Sequence, residues 1–192
     1  MNEVDPRDPA QLPADLAQSA ALIDDRREAR HLKDEAFSAF YRNEIKPLIR
    51  YLMRQGADTA LAAETAQESM LRAYTAWQGL TYPKAWVYKV ARHELLTLMR
   101  RRREDPFEQV PEPTALLPRT DALIAVELRY DALQAIRRLP QRQREVIALS
   151  LSGFAPASIA DILDITANTA SASLKKARRA LLAAPEFRQE TS

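Results

Sequence analysis

Hydrophobic positions recur along this chain with the spacing of helices, and no segment shows the convincing alternation of a strand. Phe37, Phe40, Tyr41, Ile45, Leu48, Ile49 and Leu52 fall at the i, i+3, i+4 intervals of one buried stripe. Pro47 lies inside that stripe and predicts a kink or a restart, because its ring removes a backbone donor. Gly56 predicts the end of the segment, and Asp58 or Thr59 the cap of the next. In that next segment Ala62, Ala66, Met70 and Ala73 line one face, which Trp77 extends. A third helix is expected from Pro83 into a run of arginines, burying Val87, Val90, Ala91, Leu95 and Leu98.

The pattern then breaks. Pro106, Pro111, Pro113 and Pro118 stand among acidic residues, and proline continues neither a helix nor a central strand, so this stretch reads as a linker. Periodicity returns with Leu123, Ile124, Leu128, Leu133 and Ile136, a helix expected to run to Leu139, and Pro140 fits the first turn of another. Gly153 predicts its end, Pro156 the start of a short helix, and Thr166 the residue before a final one. Ile159, Ala160 and Leu163 would bury one side of the short helix, and Ala170, Leu174, Ala177 and Leu181 one side of the last. Two apolar stripes joined by about three residues predict a tight helix pair. The expected fold is all-α: two small helical domains joined by an acidic, proline-rich linker. The boundaries are an acidic extension over 1–35, disordered or partly helical, a first domain over 36–103, a flexible linker over 104–120, a second domain over 121–184 and a tail over 185–192.

The formal net charge of +2 conceals an uneven distribution. Residues 36–103 carry 12 Lys and Arg against 5 Asp and Glu, and 131–184 carry 8 against 4; residues 1–35 carry 5 against 9 and 104–130 carry 2 against 6. Two basic blocks flank an acidic connector. The chain has no cysteine and 2 histidines, which argues against a disulfide framework, a thiolate metal site and a metal or other cofactor. No apolar run approaches the ~18–20 residues that span a bilayer, so neither membrane insertion nor a secretory leader is expected, and the location is read as cytoplasmic. An enzyme is disfavoured, because no phosphate-cradling glycine loop or supported nucleophile and base pairing is found.

Three surfaces carry candidate chemistry. Glu64 and Glu68 stand four apart, a like-charge pair that costs a few tenths of a kcal/mol in a helix and that Arg72 relieves in part. With Gln67 and Leu71 they form an acidic and apolar surface suited to a basic protein partner, and a solvated face without a partner fits these residues equally. Further on, Tyr82, Trp86, Lys89, Arg92, His93 and Arg100 fall along one side of a helix, where rings can stack on unpaired bases while cations hold phosphates. Trp86 fits a core position as well, and the arginine run Arg100–Arg103 a solvated helix end. On the last helix Asn168, Ser171, Ala172, Lys175, Arg178 and Arg179 lie opposite the apolar stripe. Small polar groups at its amino-terminal turn can approach base edges, with cations following for the backbone, the arrangement of a helix-turn-helix reader. An ordinary helical hairpin with a basic face has the same pattern.

The segments "ETAQESMLRAY" and "PKAWVYKVARHELLTLMRRRR", followed by "AIRRLPQRQREVIALSLSGFAPASIADILDITANTASASLKKARRAL", together resemble a bacterial alternative sigma factor of the extracytoplasmic-function type, within the sigma-70 family. The resemblance covers roughly Phe37 to Leu182 apart from the linker. It implies a non-enzymatic subunit that binds core RNA polymerase, recognises promoter DNA and opens it. By position, Glu64, Gln67, Glu68, Leu71 and Arg72 match the polymerase-gripping surface. Lys84, Lys89, Arg92 and His93 match the region that opens the −10 element, and Thr169, Ser171, Ser173, Lys175 and Lys176 match the −35 recognition helix. An anti-sigma factor is an expected partner. The chain departs from the family at His93, where Asn is common, at Ser171 and Ser173, where Lys and Arg are frequent, and at Asp164, where Gly is usual; the stretch between Tyr74 and Pro83 is also short. These departures imply altered −10 specificity and weaker or different upstream contacts. Two other classes stay open: a stand-alone helix-turn-helix regulator whose first domain dimerises, and an interaction protein without DNA activity. The acidic residues 1–35 lie outside the resemblance and are expected to mask a basic face weakly.

Overall fold

The computed structural model describes residues 14–104 and 130–184, and every regular element in them is a helix: α1 (Ala14–Gln55), α2 (Thr59–Ala76), a 3₁₀ turn at Trp77–Gly79, α3 (Pro83–Glu104), α4 (Tyr130–Arg138), α5 (Gln141–Leu151), α6 (Pro156–Leu163) and α7 (Ala167–Ala183). The predicted linker, apart from Glu104, which ends α3, and the positions Leu123, Ile124 and Leu128 lie outside the described residues. None of the described helices is long and apolar enough to cross a membrane. The chain divides into two compact units, residues 1–40 and 41–192. In the first, α1 is already helical at Ala14, Leu22, Ile23 and Leu32 are exposed, and Asp24–Arg27 and His31–Glu35 pair along the helix surface.

α1 does not restart at Pro47, which sits inside it. Its apolar stripe grades from half-buried Tyr41 and Ile45 to fully buried Leu48, Tyr51 and Leu52. The helix ends as glycine predicts: Gly56 has φ +112°, its N–H donates to the Met53 carbonyl at 3.1 Å, and the Ala57 N–H donates to the Leu52 carbonyl at 3.2 Å. That is a Schellman ending, in which the left-handed residue lets the chain turn back on its last carbonyls. Asp58 then caps α2, its carboxylate accepting from the Leu61 N–H at 2.8 Å. Ala62, Ala66, Met70 and Ala73 are buried in α2, and the small side chains let α3 pack against it. Val87, Ala91 and Leu95 of α3 are buried, while Val90 and Leu98 are only half-buried.

The carboxy-terminal helices also start and stop where the sequence indicates. Pro140 precedes α5, and Gly153, at φ +87°, closes a second Schellman ending in which the Phe154 N–H donates to the Leu149 carbonyl at 3.2 Å. α5 and α6 both pack on α7. Ile159, Ala160, Ile162 and Leu163 are buried against Ala170, Leu174 and Ala177, so the predicted helix pair forms. α5 is unusual in burying five successive residues, Glu145 to Leu149. A helix buried all round has neighbours on more than one side.

The second neighbour is the amino-terminal helical layer. α3 packs against α6, Arg137 of α4 donates to the Met53 and Ala57 carbonyls at 3.0 and 2.6 Å, and the Tyr88 ring meets Phe154 edge-on with centroids 4.9 Å apart. Tyr88 also lies 5.1 Å from Tyr51, so an aromatic row links α1, α3 and the α5–α6 turn. Burial pushes the Tyr51 phenol well above its ordinary value and keeps it neutral.

Candidate nucleic-acid interface

The outward face of α2 holds Glu64, Gln67, Glu68, Leu71 and Arg72, all exposed, with Leu71 at 60%. They are outward because Leu61, Ala62, Thr65, Ala66, Ser69 and Met70 take the inward positions of the same turns. Arg72 donates to Glu68 at 2.9 Å and reaches Glu94 of α3 at 3.2 Å, and these two carboxylates hold its guanidinium above its ordinary value. The repulsion between Glu64 and Glu68 is thus offset on one side only. A leucine exposed beside carboxylates is an anchor-and-rim arrangement, apolar at the centre and acidic around it.

Along α3 the candidate side chains are positioned differently from one another. Tyr82 precedes the helix and is 77% exposed, and His93 and Arg100 are exposed. Trp86 is neither core nor free: it is half-buried and lines a cleft of about 330 Å³ together with Arg72, Lys89, Arg92, His93 and Asp164. The three remaining cations are all engaged. Lys84 pairs with Glu44 at 3.1 Å and lies 5.4 Å from the Phe154 ring centre, within cation–π range. Lys89 pairs with Asp164 at 2.6 Å and also donates to the Asp161 carbonyl at 3.4 Å. Arg92 donates through Nε and Nη2 to Oε1 of Glu145 at 2.9 and 2.8 Å. The Glu145 side chain is only 3% exposed, and Arg142 adds a second contact at 3.4 Å.

Asp164 is where the backbone itself is unusual. It is the one non-glycine residue at positive φ among the described residues, at φ +52°, and it ends α6. The Ile165 N–H donates to the Ala160 carbonyl at 3.0 Å, the same six-to-one bond that closes the two glycine endings, and the Asp164 N–H donates to that carbonyl as well. The left-handed conformation costs a side-chain-bearing residue about 1–2 kcal/mol, although aspartate bears it better than most. The hydrogen bond from Lys89 holds the Asp164 carboxyl below the usual range. Lys89 therefore sits at the carbonyl end of α6, where the helix dipole favours a cation.

On α7, Thr166 caps the helix, accepting from the Thr169 N–H at 3.1 Å, and the two hydroxyls lie 2.8 Å apart. Thr169 serves the cap through its backbone and remains exposed. Asn168, Ser171, Lys175, Lys176, Arg178 and Arg179 are exposed, while Ser173 is half-buried on the flank of the packed stripe. The sequence singled out the cations of α3 but not Glu145, and it marked Asp164 only as a departure from the family, not as the partner of Lys89. One signal for Glu145 was present: it immediately precedes the apolar run "VIALSL", and its i+3 and i+4 neighbours, Ala148 and Leu149, are apolar.

The chain matches the Sigma-70 region 2 family over residues 40–104 and the Sigma-70, region 4 family over residues 129–181. Its fold is similar to that of the sigma factor RpoE from Bartonella quintana, solved with the anti-sigma factor NepR: TM-score 0.61, 22% identity, covering 82% of this chain and 99% of that one. It is also similar to CnrH, solved with the cytosolic domain of CnrY: TM-score 0.57, 16% identity, covering 83% of this chain and 91% of that one. The two family matches fall on α1 to α3 and α4 to α7 in that order, and by them the chain belongs to the sigma-70 family.

Proposed function

We propose that this sigma factor uses three separate surfaces to bring polymerase to a promoter. The exposed Glu64, Gln67, Glu68, Leu71 and Arg72 dock on a basic surface of core RNA polymerase. Tyr82, Lys84, Trp86, Lys89, Arg92, His93 and Arg100 hold the opened −10 strand, the rings stacking on bases and the cations on phosphates. Asn168, Thr169, Ser171, Ser173, Lys175, Lys176, Arg178 and Arg179 present the −35 reading face, with small side chains at the amino-terminal turn and cations beyond it. The observation that carries this reading is the order of a region 2 match and a region 4 match in one chain, with these side chains on the helices concerned. The chain performs no chemistry of its own; it supplies promoter choice to an enzyme in the cytoplasm. RpoE was solved with an anti-sigma factor, which supports an anti-sigma factor for this chain too.

The test is transcription of fragmented genomic DNA by sigma-free core polymerase with and without this protein, followed by mapping of transcript starts. New starts sharing two spaced upstream motifs are expected. Charge reversal by Glu64→Lys with Glu68→Lys should abolish both core binding and those starts. Silence of the unaltered protein on polymerase that responds to a control sigma factor, or retention of core binding after the charge reversal, overturns the assignment of these surfaces.

A further inference from the structure

The cations that would hold the opened strand are already held. Lys89 and Arg92 meet carboxylates supplied by the carboxy-terminal helices, Asp164 at 2.6 Å and Glu145 at 2.8 Å, and Trp86 lines clefts with Asp161, Ile162 and Asp164. A phosphate and a carboxylate make the same charge-assisted hydrogen bonds, so neither cation can serve a DNA strand and its present partner together. Asp164 adds a second and independent observation. Three of the described helices end on a left-handed residue followed by a six-to-one backbone bond; Gly56 and Gly153 fill the left-handed position in two, and Asp164 fills it in the third. Glycine there satisfies the backbone at least cost, and aspartate adds only its carboxylate, which lies on Lys89.

We infer that the carboxy-terminal domain is an intramolecular cover for the strand-binding face of α3, latched by the Asp164 carboxylate standing where a DNA phosphate would stand on Lys89. The inference rests on the reading of α3 as the strand-holding helix. Glu145 anchors the cover at its buried end, and Asp164 closes its exposed rim. The cover leaves α7 outside: Lys175, Lys176, Arg178 and Arg179 are exposed and have no salt-bridge partner among the described residues. In this state the −35 helix is presented and the −10 helix is withheld, and opening exchanges carboxylates for phosphates.

The experiment uses the full-length chain carrying Trp77→Phe, which leaves Trp86 as its one tryptophan, alone and with Asp164→Gly or Asp164→Asn. Acrylamide quenching reports the exposure of Trp86, and acrylamide is neutral, so removal of a charge does not itself alter it. Fluorescence anisotropy with a short labelled single-stranded oligothymidylate reports access to the strand-binding face. Glycine suits the left-handed position and asparagine tolerates it, so both variants should fold. Both are expected to expose Trp86 and to tighten oligothymidylate binding by up to about fivefold, since an exposed pair shifts an equilibrium by about that much and apparent affinity follows the open fraction. The latch is overturned by unchanged quenching and affinity in both variants. It is also overturned if glycine opens the chain while asparagine does not, which would make the effect one of backbone, or if binding tightens without a change at Trp86, which would make it simple charge repulsion. Greater exposure of Trp86 with unaltered affinity would show that the cover does not compete with the strand. Genomic transcription by the unaltered protein separates the two failures: with transcript starts present and the variants unchanged, only the latch falls, whereas absent starts count against the sigma-factor surfaces whatever Trp86 reports.

Discussion

The two cationic helices of this protein are opposites in how their charge is used. On α3, Lys84, Lys89 and Arg92 each have a carboxylate within 3.1 Å, drawn from α1, from the end of α6 and from α5. On α7, Lys175, Lys176, Arg178 and Arg179 face outward with no ion pair among the described residues. A count of charge along the sequence treats the two alike. The difference teaches that a basic helix is available to nucleic acid only where the tertiary structure has left its counter-charges elsewhere, and that one chain can hold one such surface shut and the other open.

The largest expected break in that comparison is at Glu145. Because it is almost fully buried, Glu145→Ala leaves the Arg92 guanidinium uncompensated, and the chain should lose about 3–5 kcal/mol in urea unfolding. Replacing both partners, Arg92→Leu with Glu145→Leu, should be less destabilising than the single change; equal or greater loss would mean that the pair contributes net stability rather than only a penalty when broken. On the open helix, Lys175→Ala with Lys176→Ala should leave folding unaffected and lower the salt dependence of duplex DNA binding by roughly 2 in the log–log slope, at about 0.9 per phosphate contact. Lys89→Ala, measured in the same titration without polymerase, should leave that slope unchanged, and a drop comparable to that of the α7 variant would erase the contrast.

The next effect in size concerns whether the two halves fold together. Asp58→Ala and Thr166→Ala each remove a helix amino-terminal cap, at a cost of about 1 kcal/mol. If the contacts of α3 with α5 and α6 make residues 41–192 one cooperative unit, both changes move a single urea transition by the same amount. Two transitions, each answering to only one of the caps, would mean that the interface between the halves is the weaker link. The smallest effect is expected at the rim of α2. Glu68→Gln removes one partner of an exposed arginine and should change stability by less than about 0.5 kcal/mol. Its consequence should instead appear in the affinity for core polymerase, measured by competition.

Most helix ends were legible because they depend on one or two residues. Gly56, Asp58, Pro83, Gly153, Pro156 and Thr166 each act through their own backbone or a hydrogen bond reaching no more than three residues, and each stands where the sequence indicated. At Pro47, where a kink or a restart was expected, α1 does not restart but continues on either side of the proline. The buried stripes were legible for the same local reason: helical periodicity names the inward face, and Ala62, Ala66, Met70, Ala91, Ala170 and Ala177 are all buried. Trp86 was not decided by periodicity, because its position on the edge of the stripe fits core and surface equally, and it came out half-buried in a cleft.

The sequence by itself determined the family, the helices and the candidate binding side chains, because these follow from local patterns and from motifs carried in short segments. Only the tertiary structure decided which of those side chains are occupied. The partners of Lys89 and Arg92 lie 75 and 53 residues away, and no periodicity or spacing relates two positions across such a distance. They meet because α6 packs against α3, which sets the buried Glu145 carboxylate on Arg92, where a charge out of water needs a partner, and brings the exposed Asp164 to Lys89 at the rim.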